Sequence, residues 1–360
     1  MALTDAVQEA HGVRLEALQE RLTDAVEQLV SGEDWARAVA FAARFRSRSF
    51  NNGLLIWSQH VGAVEAGRIQ APVPSYVAGY KQWQGLGRQV DKGQSGYMIY
   101  APVISRFATP TPADAASWRR LKRGEKPRPG EVARSKMVGV RPAYVWDVSQ
   151  TSGDPIPEHP MPILLEGEAP EGLWDGLATQ IETRGFRVVK VADEGMIDGA
   201  NGRTDFTANT VTVRENMAPA AQVKTLTHEL AHVLLHGPNN PDASGHRGIG
   251  EVEAESVALM VGAAHGMDTA GYTIPYVTTW ASTVKNSSPV EVVQGTGERV
   301  RKAATQILDH LDTAQIGGGG PPGLVRELAR RGQPKREAPD PLPEPSLISV
   351  AGRHEPVRGL

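Results

Sequence analysis

Cysteine is absent from the 360 residues, which excludes disulfides, thiolate metal ligands and a thiol nucleophile and fits a reducing compartment. Also missing is any run of about 18 apolar residues, the length a membrane helix needs. The opening Met1-Ala2-Leu3-Thr4-Asp5 lacks a signal-peptide pattern, so a cytoplasmic location without membrane attachment is expected. Aromatic residues are few, 20 in all, yet 13 of them fall between positions 41 and 146. Acidic residues are scarce nearby: residues 41–141 hold 17 Lys and Arg against 5 Asp and Glu. That local balance of +12 lies in a chain of net charge −3, so the remainder carries −15. A basic, aromatic block on an otherwise acidic chain is the electrostatic footprint of a polyanion partner. The length suits two domains, each long enough to bury a core.

What the second half does contain is a metal-ligand pattern. The stretch Thr225-Leu226-Thr227-His228-Glu229-Leu230-Ala231-His232-Val233-Leu234-Leu235-His236-Gly237 sets H-E-x-x-H in an amphipathic helical pattern. On a helix, His228 and His232 at i and i+4 project from one face and can grip one ion. Zinc favours neutral imidazoles in a tetrahedral array, with three protein ligands and a water where the site is catalytic. Glu229, beside the first histidine, reads as the general base for that water. Val223, Leu226, Leu230, Val233 and Leu234 supply the core-facing stripe, Pro219 suits a first turn, and Gly237-Pro238 ends the helix. His236 repeats the i+4 step but drifts round the helix, so it reads as a supporting or core histidine.

A third ligand is expected from a second helix. Ile249 to Met260 offers Glu251, Glu253 and Glu255 beside Ala254, Ser256, Val257 and Ala258. Buried carboxylates need a metal or a partner. Glu253 is the first choice and Glu251 the alternative, with Glu255 left to orient a histidine. The donor set favours Zn2+ over other divalent ions.

In the basic block, Arg44 to Gln59 is followed by Tyr76 to Trp83, Leu86 to Val90, Lys92 to Gly96 and a strand-like Tyr97 to Val103. Cations neutralise phosphates while flat rings stack on unpaired bases, so single-stranded nucleic acid is the polyanion this mixture suits.

The two segments His228 to His236 and Glu251 to Ala258 resemble the metallopeptidase domain shared by ArdC-type antirestriction proteins and repressor-cleaving ImmA-type proteases. Ser49-Phe50-Asn51, the Trp83 to Val90 segment and the Lys92-Gly93 turn resemble the single-stranded-DNA-binding domain of the ArdC type. Together these cover about residues 34–311. The resemblance implies an α+β protein of two domains, a mixed α/β DNA-binding domain and a zincin-like, gluzincin-type metallopeptidase domain that hydrolyses peptide bonds in a protein substrate. It also implies an antirestriction role during entry of mobile DNA. Candidate DNA contacts are Arg44, Arg46, Arg48, Asn51, Asn52, Tyr80, Lys81, Trp83, Arg88 and Lys92. Two other functions fit the same residues: a DNA-binding protein with a non-catalytic metal site, and an ImmA-like regulatory protease whose basic block docks an acidic protein.

The expected organisation is an N-terminal helix over 1–31, the DNA-binding domain over 32–153, a linker over 154–170, the peptidase domain over 171–314 and a disordered Gly- and Pro-rich tail over 315–360. Residues 105–135, basic and Pro-rich, read as a loop inserted in the first domain. Val138 to Val148 reads as its closing strand. In the second domain the pattern predicts a helix over Leu173 to Thr183, a strand over Phe186 to Val191 and a last helix from about Val290 to Leu311. Alternation over Thr207 to Val213 predicts a strand, which the zincin resemblance makes the edge strand for a peptide. Tyr272, Tyr276 and His246 are candidate oxyanion stabilisers.

Overall fold

Short polar side chains set where the first helices begin. Ser31 accepts from the Asp34 N–H while Asp34 accepts from the Ser31 N–H, a reciprocal cap that opens one helix; Ser49 caps the next through the Asn52 N–H. This computed structural model describes residues 2–156, 167–238, 247–268, 272, 274, 277–282, 284 and 287–321. In chain order the first half comprises α1 (Ala2–Glu27), α2 (Gly32–Arg44), α3 (Phe50–Glu65), β1 (Val77–Ala78), α4 (Tyr80–Gly85), β2 (Arg88–Val90), β3 (Tyr97–Thr109), β4 (Arg119–Arg120), β5 (Val132–Asp147) and β6 (Thr151–Gly153). The second comprises α5 (Leu173–Glu182), β7 (Arg187–Val191), β8 (Gly202–Asp205), β9 (Thr210–Arg214), α6 (Pro219–Leu235), α7 (Arg247–Ala264), α8 (Val277–Ala281) and α9 (Pro289–Leu308). The protein is thus α+β.

The first sheet is antiparallel in the order β1-β5-β3-β4, and β2 pairs separately with β6. β3 and β5 run together from Tyr97 opposite Val145 to Thr109 opposite Val132, with one register shift at Val103/Ile104. The two ends of the segment expected as an inserted loop are therefore strands of a β-ribbon, and residues 110–131 form the loop at its far end. Its far end is tied by Arg119, which holds Glu125 at 2.5 Å and Glu131 at 2.7 Å. Period-two patterning reveals a strand only when one face is apolar and buried, and residues 132–141 of β5 are exposed on both faces.

The second sheet runs β7-β9-β8, parallel between β7 and β9 and antiparallel between β9 and β8. Val211 and Val213 on β9 are fully buried. This corrects the edge-strand expectation: Thr207 and Ala208 form a turn whose N–H groups bond the Asp205 carboxylate, the strand starts at Thr210, and it is central. The edge belongs to β8, hidden from sequence because Gly202 and Asp205 look like turn residues.

One core runs through both halves. Trp35 of α2 lies with its ring 5.5 Å from Phe50 and 5.3 Å from Trp280, and its indole N–H donates to Ser256 Oγ of α7 at 2.8 Å. Burying a tryptophan removes roughly 200 Å² from water, about 5 kcal/mol as an upper figure, against about 1 kcal/mol for the hydrogen bond. Ring packing therefore dominates this joint. At Gly297 of α9 a Cβ would come within 2.3 Å of the Phe50 ring, so glycine lets α9 press onto α3.

Residues 315–321, expected as the start of a loose tail, are stitched across that joint. Ile316 N–H donates to Ala264 O, Val77 N–H to Gly319 O, and Ser47 Oγ to Gly318 O. Backbone hydrogen bonding, which composition does not encode, holds them. The rest of the expected tail and the middle of the linker lie outside the described residues.

Candidate metal centre and nucleic-acid groove

Helices α6 and α7 pack side by side and bring three donor atoms to one point. His228 Nε2 and His232 Nε2 are 3.0 Å apart, and Glu251 reaches them at 3.4 and 3.6 Å. Donors about 2.1 Å from a tetrahedral centre are roughly 3.4 Å from each other, so the three distances fit a zinc-sized ion. Glu253, the first choice from sequence, is not among them. Its carboxylate is turned inward, taking His236 Nε2 at 3.0 Å and Arg299 Nε at 2.6 Å. The physical reason is side-chain direction: residues two apart on α7 point to different sides, and the burial that favoured Glu253 reflects a polar partner. The alternative, Glu251, faces the histidines with its side chain 69% exposed.

A hydrogen-bond chain fixes the histidine tautomers. Glu253, paired with Arg299, accepts from His236 Nε2, and in that tautomer His236 Nδ1 is the acceptor for His232 Nδ1–H, 2.9 Å away. On the other side Glu255 accepts from His228 Nδ1 at 3.3 Å and pairs with Lys224 at 2.7 Å. Both Nε2 atoms are thereby aimed at the same point, where a proton or a shared cation can be held. Burial works against a charged His228, but Glu251 and Glu255 outweigh it and push its pKa up to about 9. Those two histidines in turn hold the Glu251 carboxyl far below the usual range. The surroundings favour positive charge at this point, and the donor set fits a divalent metal.

Glu229 is buried one residue along α6, where Thr204 Oγ1 of β8 donates to its Oε2 at 2.6 Å. A Cβ at Gly202 would stand 2.5 Å from Thr225 Cγ2 and 2.9 Å from Glu229 Oε1. Glycine is required there for the strand to lie against the carboxylate. Thr204 and Gly202 are not legible as site residues in the sequence, because Gly199, Asn201, Gly202 and Asp205 give residues 199–205 the composition of a turn. A cleft of about 860 Å³ opens over Gly202, His228, Glu229, Glu251 and Tyr272. Tyr272 donates to Ala258 O at 3.2 Å, its ring lies 4.1 Å from Lys224 Nζ, and burial pushes its phenol up. His246 and Tyr276 lie outside the described residues.

In the first half, Arg48, Asn52, Tyr80 and Lys81 line a groove of about 1000 Å³ together with Tyr100, Arg141, Tyr144 and Trp146. Tyr80, Trp146 and Tyr144 form a row, with ring centroids 6.0 and 6.5 Å apart. Tyr144 and Trp146 alternate with buried Val145, a signal readable as i, i+2 aromatics on an outward strand face. Arg48 donates to Val77 O at 2.7 Å, its Nε is buried without a partner, and burial pulls its pKa down. Among the described residues no carboxylate lies in ion-pair range of it.

Other expected contacts stand elsewhere. Arg46 holds Ile316 O and Gln315, and Arg88 spends its donors on Thr151, Gly153 and Asp154. Trp83 is fully buried and donates to Trp146 O. These three maintain the fold, because their chemistry is equally suited to satisfying backbone carbonyls and filling a core. Asn51 has its side-chain oxygen buried without a partner, and Arg44 and Lys92 are exposed outside the groove. Asn52 uses its amide on both backbone groups of Tyr100.

No described helix is long and apolar enough to cross a membrane. Residues 15–144 match the family model for the N-terminal domain of anti-restriction factor ArdC, and residues 183–274 match that for the IrrE N-terminal-like domain, a peptidase family. An uncharacterized protein of Bacillus anthracis is 24% identical over 345 residues, covering 89% of this chain and 53% of that protein. The chain spans about half the length of this curated relative. Two crystal structures of a plasmid antirestriction protein ArdC are similar, one metal-free (18% identity, 72% of this chain, 84% of that one, TM-score 0.44) and one bound to Mn(II) (19%, 72%, 87%, 0.42). The chain therefore carries an N-terminal domain similar to that of anti-restriction factor ArdC over residues 15–144 and an IrrE N-terminal-like domain over residues 183–274.

Proposed function

We propose that this chain is a single-stranded-DNA-binding antirestriction protein whose second half is a zinc-dependent peptidase. The observation that carries the DNA-binding half is Arg48, a half-buried guanidinium without an acidic partner among the described residues, lining the same groove as the row Tyr80, Trp146 and Tyr144. A desolvated cation is costly unless an anion meets it, and a phosphate with its base stacked on the adjoining ring supplies one.

For the peptidase half, His228, His232 and Glu251 would hold zinc, which when bound supplies Lewis acidity and a water of lowered pKa. Glu229 is the proton carrier. Thr204 holds its Oε2, and the carboxylate, which lines the cleft, would take a proton from the attacking water and pass it to the leaving amine. β8 pairs with β9 on one side, and among the described strands none pairs with its other edge. That edge offers backbone N–H and C=O groups to an extended peptide, aligning its scissile carbonyl beside Glu229. Peptide selection would then rest on the cleft walls rather than on the strand.

Metal content after titration with Zn2+ and Mn2+, single-strand binding by anisotropy and peptide hydrolysis test this reading on the full chain. Glu229→Gln is expected to abolish hydrolysis while leaving metal content and DNA binding intact. Failure of the unaltered protein to bind single strands at low salt overturns the DNA half. Antirestriction activity surviving in Glu229→Gln assigns that role to DNA binding alone.

A further inference from the structure

The β3–β5 ribbon takes no part in the metal centre. Its 13-residue strand β3 spans about 40 Å at roughly 3.3 Å per residue. The far end is built rather than loose: Arg119 clamps Glu125 and Glu131, Leu121 is buried, and Thr109 Oγ1 bonds Ser117 Oγ at 2.5 Å. That clamp neutralises two of the few acids present. Arg120, Lys122, Arg123, Lys126 and Lys136 remain exposed, with no carboxylate among the described residues in ion-pair range.

Shape and charge then agree. A two-stranded ribbon with its side chains is about 10 Å across, and the major groove of duplex DNA, about 12 Å wide, admits such a ribbon. The groove proposed for single strands also runs directly onto the ribbon's base, since Met137, Val140 and Arg141 line it. Ile104 and Met137 face each other across the strands there, 55% and 59% exposed. An exposed apolar pair where the groove meets the ribbon suits stacking against the last base pair of a duplex.

We infer that the ribbon is a duplex-binding arm, and that the protein recognises a junction where a single strand enters double-stranded DNA. The junction part rests on the single-strand reading above; the arm itself does not. Cations on the arm neutralise duplex phosphates, and the groove receives the strand that continues from them.

The test is anisotropy of the full chain with three labelled DNAs, a single strand, a blunt duplex and a duplex with a single-stranded tail, over a range of salt. The tailed duplex is expected to bind roughly tenfold tighter than the single strand at low salt. Lys122→Ala/Arg123→Ala/Lys126→Ala should remove that gain and flatten the log-log salt dependence for the tailed duplex by about 2 to 3, near 0.9 for each phosphate no longer neutralised. Single-strand affinity should stay unchanged in this variant. Equal affinity and salt slope for tailed duplex and single strand in the unaltered protein overturn the inference, as does an equal loss on both DNAs in the variant. If single strands fail to bind while the blunt duplex binds through these three residues, the arm stands and the groove reading falls.

Discussion

Replacing Glu251 and Glu253 separately by alanine should produce opposite phenotypes. Glu253 is 4% exposed and holds two partners, His236 at 3.0 Å and Arg299 at 2.6 Å. Removing one member of a buried charged pair costs about 3–5 kcal/mol. Arg299, 45% exposed, recovers water, which lowers the expectation for Glu253→Ala to about 2–3 kcal/mol. The metal donors remain, but His236 is no longer held, so affinity should fall about 10- to 100-fold, as when an outer support is removed. Glu251 is mostly exposed, so Glu251→Ala should change metal-free stability by less than about 1 kcal/mol. It should nonetheless abolish stoichiometric binding, because two histidines alone remain. Urea denaturation in a chelator reads the first quantity and competition with a chromophoric chelator reads the second. A Glu253→Ala protein of normal stability that binds no metal, beside a Glu251→Ala protein that binds normally, would refute this assignment.

Gly202→Ala should push the Glu229 carboxylate off Thr204; a loss of hydrolysis beyond tenfold with a cost of about 1–3 kcal/mol in denaturation is expected, and undiminished turnover would mean that β8 does not position the base. Tyr144→Ala should weaken single-strand binding by about 1–3 kcal/mol without lowering the melting temperature, since its ring is exposed; an unchanged Kd would remove it from the stacking row. Asp34 is held at about 2 by the backbone and hydroxyl of Ser31. A depressed carboxyl contributes stability that is complete above its ordinary value and is lost as pH falls from there through about 2. Asp34→Asn should therefore cost up to about 1 kcal/mol at pH 6, with the difference shrinking as pH falls through about 2; a pH-independent difference would contradict the cap.

The sequence revealed whatever depends on spacing along one element. His228, Glu229 and His232 share one helix, and the three glutamates of α7 were visible as a set. Which of them met the histidines depended on how α7 is rotated against α6, a property of packing rather than of either helix. The same limit explains Trp83 and Arg88: composition marked an aromatic and a cation in a basic block, but only the fold separates a ring that fills a core from one that lines a groove. The ribbon was hidden for the opposite reason, because exposure on both faces erased the alternation that betrays a strand. Gly202 and Thr204 escaped because their importance lies in approaching a different element.

The seat of Trp35 against α7 also bears on how such a chain is inherited. The helix that brings Glu251 to the two histidines offers Ser256 to the indole five residues later, so an exchange of gene segments between the two family domains would part surfaces shaped to each other. A recombinant first half would carry bare Trp35 and Phe50 rings, and a recombinant second half an unfilled seat beside Trp280. Lineages of this protein should therefore keep both halves from one ancestor, and pairs that co-vary across the α2–α7 and α3–α9 contacts should record it.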